Sequence, residues 1–294
     1  MSFFRRKTVN IEVYGRGPWK EAWSIFRRNK SALAGLVVLV LLIFVAIFAD
    51  QIAPYGYDDQ DLSRRFIPPG KGFIFGTDNF GRCLFSRVIL GSRYSMAIGA
   101  VAMTISAFIG VILGAIAGFY SDIVDNAIMR FIDILMAIPN VMLAISIIAV
   151  LGNGLQNLIL AIGISSVPTY ARLIRATVLS IKEQEFIEAA TCIGSSRIRT
   201  LFRHVLPNCI APIIVQMSLS VSTAILAASG LSFIGLGIMP PLPEWGAMLS
   251  VGRQFIRSQM WLVTFPGLAM MAVIFSLSLV GDGLRDALDP RLKR

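Results

Sequence analysis

The run Ser31-Ala-Leu-Ala-Gly-Leu-Val-Val-Leu-Val-Leu-Leu-Ile-Phe-Val-Ala-Ile-Phe-Ala49 contains no charged residue. About 20 mostly apolar residues carry a helix across a bilayer, so this run reads as a membrane span. It follows a basic region that includes Arg5, Arg6, Lys7, Arg16, Lys20, Arg27, Arg28 and Lys30. Both the polar region and the apolar run are too long for a cleaved leader, which makes the run an uncleaved anchor. Just before it, Trp23 and Phe26 follow Trp19 at helical spacing. That pattern fits an amphipathic helix lying at headgroup depth, with its cations toward lipid phosphate.

Working outward, uncharged runs recur at 94–121, 134–171, 205–243 and 258–281. Two of them approach twice the length of a span and must turn back. One divides at Gly152-Asn-Gly-Leu-Gln-Asn157, a strong turn signal. The other carries Pro207 and Pro212 at its start and Pro240, Pro241 and Pro243 at its end, leaving one span between. The expectation is an all-α membrane protein with six transmembrane helices, near 31–51, 94–118, 127–150, 157–179, 210–235 and 260–281. Residues 1–30 form a basic segment, 52–93 an outer loop, 94–284 a five-helix core containing a polar loop at 182–207, and 285–294 a tail.

Composition agrees. The 294 residues are 55% hydrophobic and 15% charged, with mean hydropathy +0.72, and no water-soluble domain needs that balance. The net charge of +10 sits on membrane-flanking loops, which argues for a lipid surface and against nucleic acid. The N-terminal cluster, the cations of 172–203 and Arg285, Arg291, Lys293 and Arg294 fall on one side of a six-span chain. The positive-inside rule puts that side, and both termini, in the cytoplasm. The loop 52–93 is an exception with several cations, but Asp58, Asp59, Asp61 and Asp78 interrupt them.

Several chemistries are missing from the sequence. There is no phosphate-binding G-x-x-x-x-G-K-[ST] loop, so the chain is not expected to bind ATP itself. His204 is the only histidine, and Cys83, Cys192 and Cys209 are scattered. Neither a metal site, a catalytic triad nor a disulfide framework is expected, and the outer-loop carboxylates read as solvated and without a nucleophile to serve. A transport or binding role is favoured over an enzymatic one.

The polar loop carries the most information. Residues 182–193 have the apolar spacing of a helix, with Phe186, Ile187, Ala190 and Ile193 at steps of three and four. Gly194 is placed to end that helix. Ser195 or Ser196 can cap a second one, with Ile198, Leu201, Phe202 and Val205 on one face. A short charged helix–Gly–helix segment between spans reads either as an amphipathic loop resting on lipid or as a handle for a soluble partner.

Three further features stand out. In 75–82, Asp78 is expected to cap a helix beginning near Asn79, and this stretch reads as a gate, a docking surface or a capped helix on the membrane. Gly110, Gly114 and Gly118 make a flat strip on one helix face, suited to close helix packing. Arg130 and Asp133, three residues apart, are expected to form an ion pair near the end of the third span.

These pieces resemble a known family. Glu188-Ala189-Ala190, then Gly194, then Leu206-Pro207 is similar to the EAA loop of ABC-importer permeases. The wider chain resembles the second permease subunit of the dipeptide/oligopeptide/nickel importers. The supporting strings are Phe75-Gly76-Thr77-Asp78 with Gly81-Arg82 and Ser86-Arg87, Met129-Arg130 with Asp133, and Tyr170-Ala-Arg172-Leu. Further along come Leu231-Ser-Phe-Ile-Gly-Leu-Gly237, Pro240-Pro-Leu-Pro-Glu244-Trp245-Gly246 and Gly281-Asp-Gly-Leu-Arg-Asp-Ala-Leu-Asp-Pro290. The family's usual Gly-Arg-Asp is Gly81-Arg82-Cys83 here, and His204 stands where an Ile is usual.

The resemblance implies the type I importer permease fold, a homologous permease as partner, two cytosolic ATPase subunits and an extracytoplasmic solute-binding protein. It implies no cofactor and no metal on this chain, with ATP and Mg2+ acting through the ATPases. It assigns Glu188 to polar contact with an ATPase, Ala189 and Ala190 to close packing, and Gly194 to the turn. It puts 76–82 and 240–246 near the outer face, where Gly76, Thr77, Asp78, Gly81, Arg82, Glu244 and Trp245 would receive the binding protein or cover a gate, Trp245 at headgroup level. Peptides lead as cargo, ahead of nickel complexes or glutathione. A secondary transporter or channel would need ionisable groups at mid-membrane or an inverted repeat, and neither is visible.

Overall fold

Asn29 starts the first span by accepting a hydrogen bond from the Ala32 amide at 3.1 Å. This leaves the short basic helix α1 (Pro18–Arg28) on one side and the apolar α2 (Lys30–Ile47) on the other. The computed structural model describes residues 18–70 and 72–288; the basic residues before Pro18, the Trp19 side chain and the tail beyond Leu288 lie outside it. In α1, Phe26 is buried against α12 (Trp261–Leu288) through Val280 and Ala287, while Trp23 stays half exposed.

After the single turn α3 (Ala49–Ile52), the helices are α4 (Leu84–Phe119), α5 (Asp122–Met136), α6 (Asn140–Leu151), α7 (Leu155–Lys182), α8 (Glu185–Cys192), α9 (Arg197–Thr200), α10 (Ile210–Phe233) and α11 (Trp245–Gly252), then α12. Among the described residues, five helical stretches are long and apolar enough to span a membrane, or six if α5 and α6 together make one broken span. Among the described residues the only β pairing is an isolated bridge between Thr77 and Cys83.

Helix α4 is the hub. Its glycine strip lies against α7, with Gly110 facing the Val167 carbonyl and Tyr170, Gly114 facing Ala171 and Ile174, and Gly118 facing the Arg175 carbonyl and Val178. A β-carbon at Gly118 would fall 2.9 Å from the Arg175 oxygen, so the two backbones are already in contact there. Without a hydrophobic force between helices in lipid, such close approach is what holds a pair together. Small residues continue the theme at Ala102 and Ala107 of α4, Ala161 of α7 and Ala224 and Ala228 of α10, all in one buried cluster.

The expected third span is not a straight helix. Helices α5 and α6 meet at 86° across Ala137-Ile138-Pro139. Proline has no N–H to donate and disfavours helical backbone in the residue before it, which accounts for the break. The second span begins ten residues earlier than expected, so 84–93 are helix rather than loop. At 36 residues, α4 is about 54 Å long and projects well beyond the hydrocarbon of a bilayer. Asp78 does not start it; Cys83 stands at the cap position and makes no side-chain capping bond.

The stretch from α9 into α10 is continuously helical, 37 residues in all. It changes pitch on the way, with a π segment at 201–205 and a 3-10 turn at 206–209.

Candidate functional site

Two places concentrate polar chemistry. The first is the segment 183–209. Helix α7 stops at Lys182 and Gln184 takes extended backbone, so the helix expected over 182–193 is broken before α8 starts at Glu185. Glu185 and Glu188 occupy the first turn of α8, where the positive end of the helix dipole favours them. Ile187 faces inward, in one buried cluster with Ile174, Val178 and Val205, and Ala190 is buried as well. Phe186, Glu188 and Ala189 face outward. The two alanines therefore divide, Ala190 closing the core and Ala189 remaining on the surface.

Gly194 ends the helix as expected, with φ +84°. Its amide donates to Thr191 O at 3.0 Å, and the Ser195 amide to Ala190 O at 3.0 Å. This bond pair is the Schellman arrangement, which needs a left-handed residue in that place. Nothing lies within 4 Å of where a Gly194 side chain would start, so only the backbone requires glycine. Ser196 then caps α9, accepting from the Arg199 amide at 3.4 Å.

The expected single face of the next helix is split. Leu201 and Val205 are buried, whereas Ile198 and Phe202 are more than 60% exposed. Leu206 is half-buried and Pro207 exposed in the 3-10 turn, where a missing amide costs little. A mixed cleft of about 750 Å³ opens beside α8, lined by Tyr120, Lys182, Glu188, Thr191, Cys192 and Arg197 among others.

The second place is an assembly of three distant segments. Thr77 is fully buried; its hydroxyl donates to Arg64 O at 2.5 Å and accepts from the Ile67 amide at 2.8 Å. Trp261 Nε1 reaches Thr77 O at 3.2 Å. Asp78, expected in solvent, is only 6% exposed. Its Oδ1 accepts from the Phe80 and Arg82 amides, and its Oδ2 from Arg82 Nε at 2.7 Å. Arg87 Nε approaches the same Oδ2 at 3.7 Å, while its Nη1 donates to Tyr57 O at 2.5 Å and Pro241 O at 3.1 Å. Gly81 holds the tight turn between Asp78 and Arg82 at φ +74°, against the Asp61 backbone. Gly76 sits beside Ile67 O and Trp261.

Glu244 and Trp245 join this assembly from the far side. Glu244 is fully buried and caps α11, its two oxygens accepting from the Gly246 and Ala247 amides at 2.8 Å each. Burial pushes its carboxyl above the ordinary range, opposed by those two amides. Trp245 is also buried, not at a headgroup surface; its indole N–H donates to Val88 O at 3.0 Å and its amide to Ser95 Oγ at 3.1 Å. A free tryptophan at this depth in sequence favours an interface, but here α4 supplies a partner.

Arg130 and Asp133 do not pair. Asp133 binds Arg172 at 2.6 Å. Asp125 accepts from both Nε and Nη2 of Arg175, each at 2.5 Å. Reach across to α7 beats the local spacing because Arg130 lies on the exposed side of α5 while Asp125 and Asp133 meet α7. Helix α5 buries only Ile132, and these two pairs strap it to α7. Sequence reasoning missed Arg87, Arg172 and Arg175 as structural partners. Two of them stood in quoted strings, Ser86-Arg87 and Tyr170-Ala-Arg172, but nothing local named what they would bind.

The family model for the binding-protein-dependent transport system inner membrane component matches residues 110–294. That for the N-terminal TM domain of oligopeptide transport permease C matches 17–69. A dipeptide transport system permease protein of Alkalihalophilus pseudofirmus is 46% identical over 276 residues, covering 94% of this chain and 91% of that protein. A di/tripeptide permease of Pseudomonas aeruginosa is 45% identical over 282 residues, 94% and 93% of the two chains. A glutathione transport system permease protein of Escherichia coli is 44% identical over 279 residues, 95% and 92% of the two.

Among solved structures, a chain of the inward-facing MetNI methionine ABC transporter superposes with TM-score 0.57 at 16% identity, over 69% of this chain and 96% of that one. At that identity the likeness speaks for the fold, the all-helical permease fold of type I importers. With the family matched over most of its length, the chain belongs to the binding-protein-dependent transport system inner membrane components, as a multi-pass permease of an ABC importer.

Proposed function

We propose that this chain and a homologous permease together form the translocation path for di- or oligopeptides, loaded by an extracytoplasmic solute-binding protein and driven by two cytosolic ATPase subunits. Peptides are favoured because peptide permeases from two organisms match it at 45–46% identity along nearly their whole lengths. Glutathione, itself a small peptide, is the second reading, on the strength of the 44% relative. The chain hydrolyses nothing itself. ATP and Mg2+ act on the partner ATPases, and both termini are cytoplasmic.

The observation that carries the coupling role is the exposed side of α8. Glu188, Ala189 and Phe186 project from a short helix whose inner side is locked to α7 and whose end is fixed by Gly194. Closure of the ATPases on ATP would move α8 as a rigid body, and its buried side would carry α7 and the start of α10 with it. This is a two-state switch biased by nucleotide on one side of the membrane and by the binding protein on the other.

The test is affinity purification of the tagged chain in mild detergent, with identification of retained subunits and an ATPase assay. A second permease, ATPase subunits and activity stimulated by a peptide-loaded binding protein are the expected result. A solitary, ATPase-silent chain overturns the reading. In the assembled importer, Gly194→Val should sever peptide uptake from ATP hydrolysis; normal uptake would remove α8 from the mechanism. Orientation is read separately from Cys192, which is exposed while Cys83 and Cys209 are buried. A membrane-impermeant maleimide should label it in inverted vesicles and spare it in right-side-out ones.

A further inference from the structure

A groove of about 460 Å³ runs between the last turns of α4 and the helical stretch that leads into α10. Its walls are hydrocarbon almost throughout, including Ile112, Ala115 and Ile116 on one side and Ile198, Phe202 and Leu206 on the other. The exposed residues Ile198, Phe202 and Ile210 follow one another at multiples of four. Ile198 and Phe202, one turn apart, make a short exposed stripe along the groove, and the helical stretch continues from there into the span.

Beside the stripe, Arg199 and Arg203 follow Ile198 and Phe202 by one residue each. Both are exposed, and neither guanidinium has an ion pair or hydrogen bond among the described residues. The contrast with a second apolar groove is instructive. That one, of about 520 Å³, lies between α2, α4, α10 and α12 and also has an arginine at its edge, Arg93. Arg93 is already committed to Ala46 O, Ile47 O and Asp50. The groove beside α9, by contrast, joins a hydrocarbon slot to uncommitted cations.

We propose that this groove binds one anionic phospholipid of the leaflet facing α8, its acyl chain in the slot and its phosphate at Arg199 and Arg203. A slot between spanning helices takes hydrocarbon, and basic residues at the membrane boundary select a negative headgroup. Guanidinium donors match phosphate oxygens better than a point charge does. The site would bear on coupling, because Leu201 and Val205, within two residues of these arginines, pack in the same cluster as Ile187 of α8. The lipid rests on the cytoplasmic orientation proposed above, but not on the cargo.

The assembled importer, in bilayers of phosphatidylcholine and phosphatidylglycerol, tests it. Photoactivatable phosphatidylglycerol and phosphatidylcholine with the same acyl label are compared by mapping the cross-linked peptides. Phosphatidylglycerol should label 198–206 and 112–120 in preference to phosphatidylcholine. Arg199→Gln with Arg203→Gln should cut that preference by about tenfold or more, as expected for two boundary cations. Ile112→Trp, at an exposed position, should reduce labelling of the groove by both lipids and leave labelling at α2 unchanged; it serves if the arginine pair proves necessary for assembly. Equal labelling by the two lipids in the wild type overturns the proposal. So does a preference that survives the double arginine variant, one abolished by inorganic phosphate (a free-anion site), or the absence of labelling at both segments in the assembled importer. The Cys192 labelling above separates a wrong orientation from a wrong ligand.

Discussion

The buried assembly around Asp78 and the segment around α8 are both polar and both turn on a left-handed glycine, Gly81 in one and Gly194 in the other, yet they are built in opposite ways. Around Asp78, three stretches remote in sequence converge. Arg87 alone touches the backbone at Tyr57 and at Pro241. Around α8, the bonds close within six residues of their origin, as in the Gly194 turn and the Ser196 cap. Bonds between distant segments must all form together, so such a region is rigid or absent. Bonds within a turn survive when the whole turn moves. The first region holds its shape only as a whole; the second keeps its bonds if it is displaced as a unit, as the proposed coupling requires.

The sharpest way to break the comparison is Asp78→Ala. It leaves two arginines buried without their carboxylate, and should cost about 3–5 kcal/mol, the range for stripping one partner from a buried pair. Thermal unfolding in detergent should show it, and a variant as stable as the wild type would mean the assembly bears no weight. Next comes Gly114→Leu, which pushes a side chain into the Ala171 backbone of α7 and should cost about 1–3 kcal/mol by overpacking. At Gly194, alanine meets open space but must adopt left-handed backbone, so the loss should be about 1–2 kcal/mol and local. Asparagine, which tolerates that backbone, should retain more ATPase coupling than alanine. Equal behaviour of the two would point to a steric role instead.

Cys83→Asp should sharpen the contrast from the other direction. Residue 83 holds the cap position of α4 without a side-chain capping bond, so an acceptor there should add about 0.5–2 kcal/mol. The smallest effect is expected from Arg172→Gln. Its pair with Asp133 is half exposed on both sides, and removing it should change stability by less than about 1 kcal/mol. Arg130→Gln should change it even less.

What could be read from the sequence follows the same division. The Gly194 turn, the Ser196 cap, the glycine strip of α4 and the apolar spans depend on neighbours within a few residues, and their spacing announces them. The partners of Asp78, Asp125 and Asp133 lie elsewhere in space, and helical spacing offered Arg130 as a nearer candidate. Burial of Glu244 and Trp245 was likewise invisible, since Ser229, Val88 and Ser95 come from other helices. The bend at Pro139 is a different kind of miss. Ile138-Pro139 carries a local helix-breaking signal, but the expected span near 127–150 rests on the length of the uncharged run alone.

The absence of any loop between α9 and α10 has a mechanical meaning. Residues 197–233 form one helical rod of 37 residues, about 55 Å long. A loop would absorb a change in chain length; a rod converts it into an angle. Removing one residue from 201–209 would turn everything beyond it by about 100° and draw it back by about 1.5 Å. Ala224 and Ala228, now packed toward α4 and α7, would swing away, and exposed Leu226 would swing toward the core. The chain between the α8 handle and the α10 span is therefore a crankshaft whose setting is counted in residues. Point changes on its outer side leave that setting alone, and a single insertion or deletion does not.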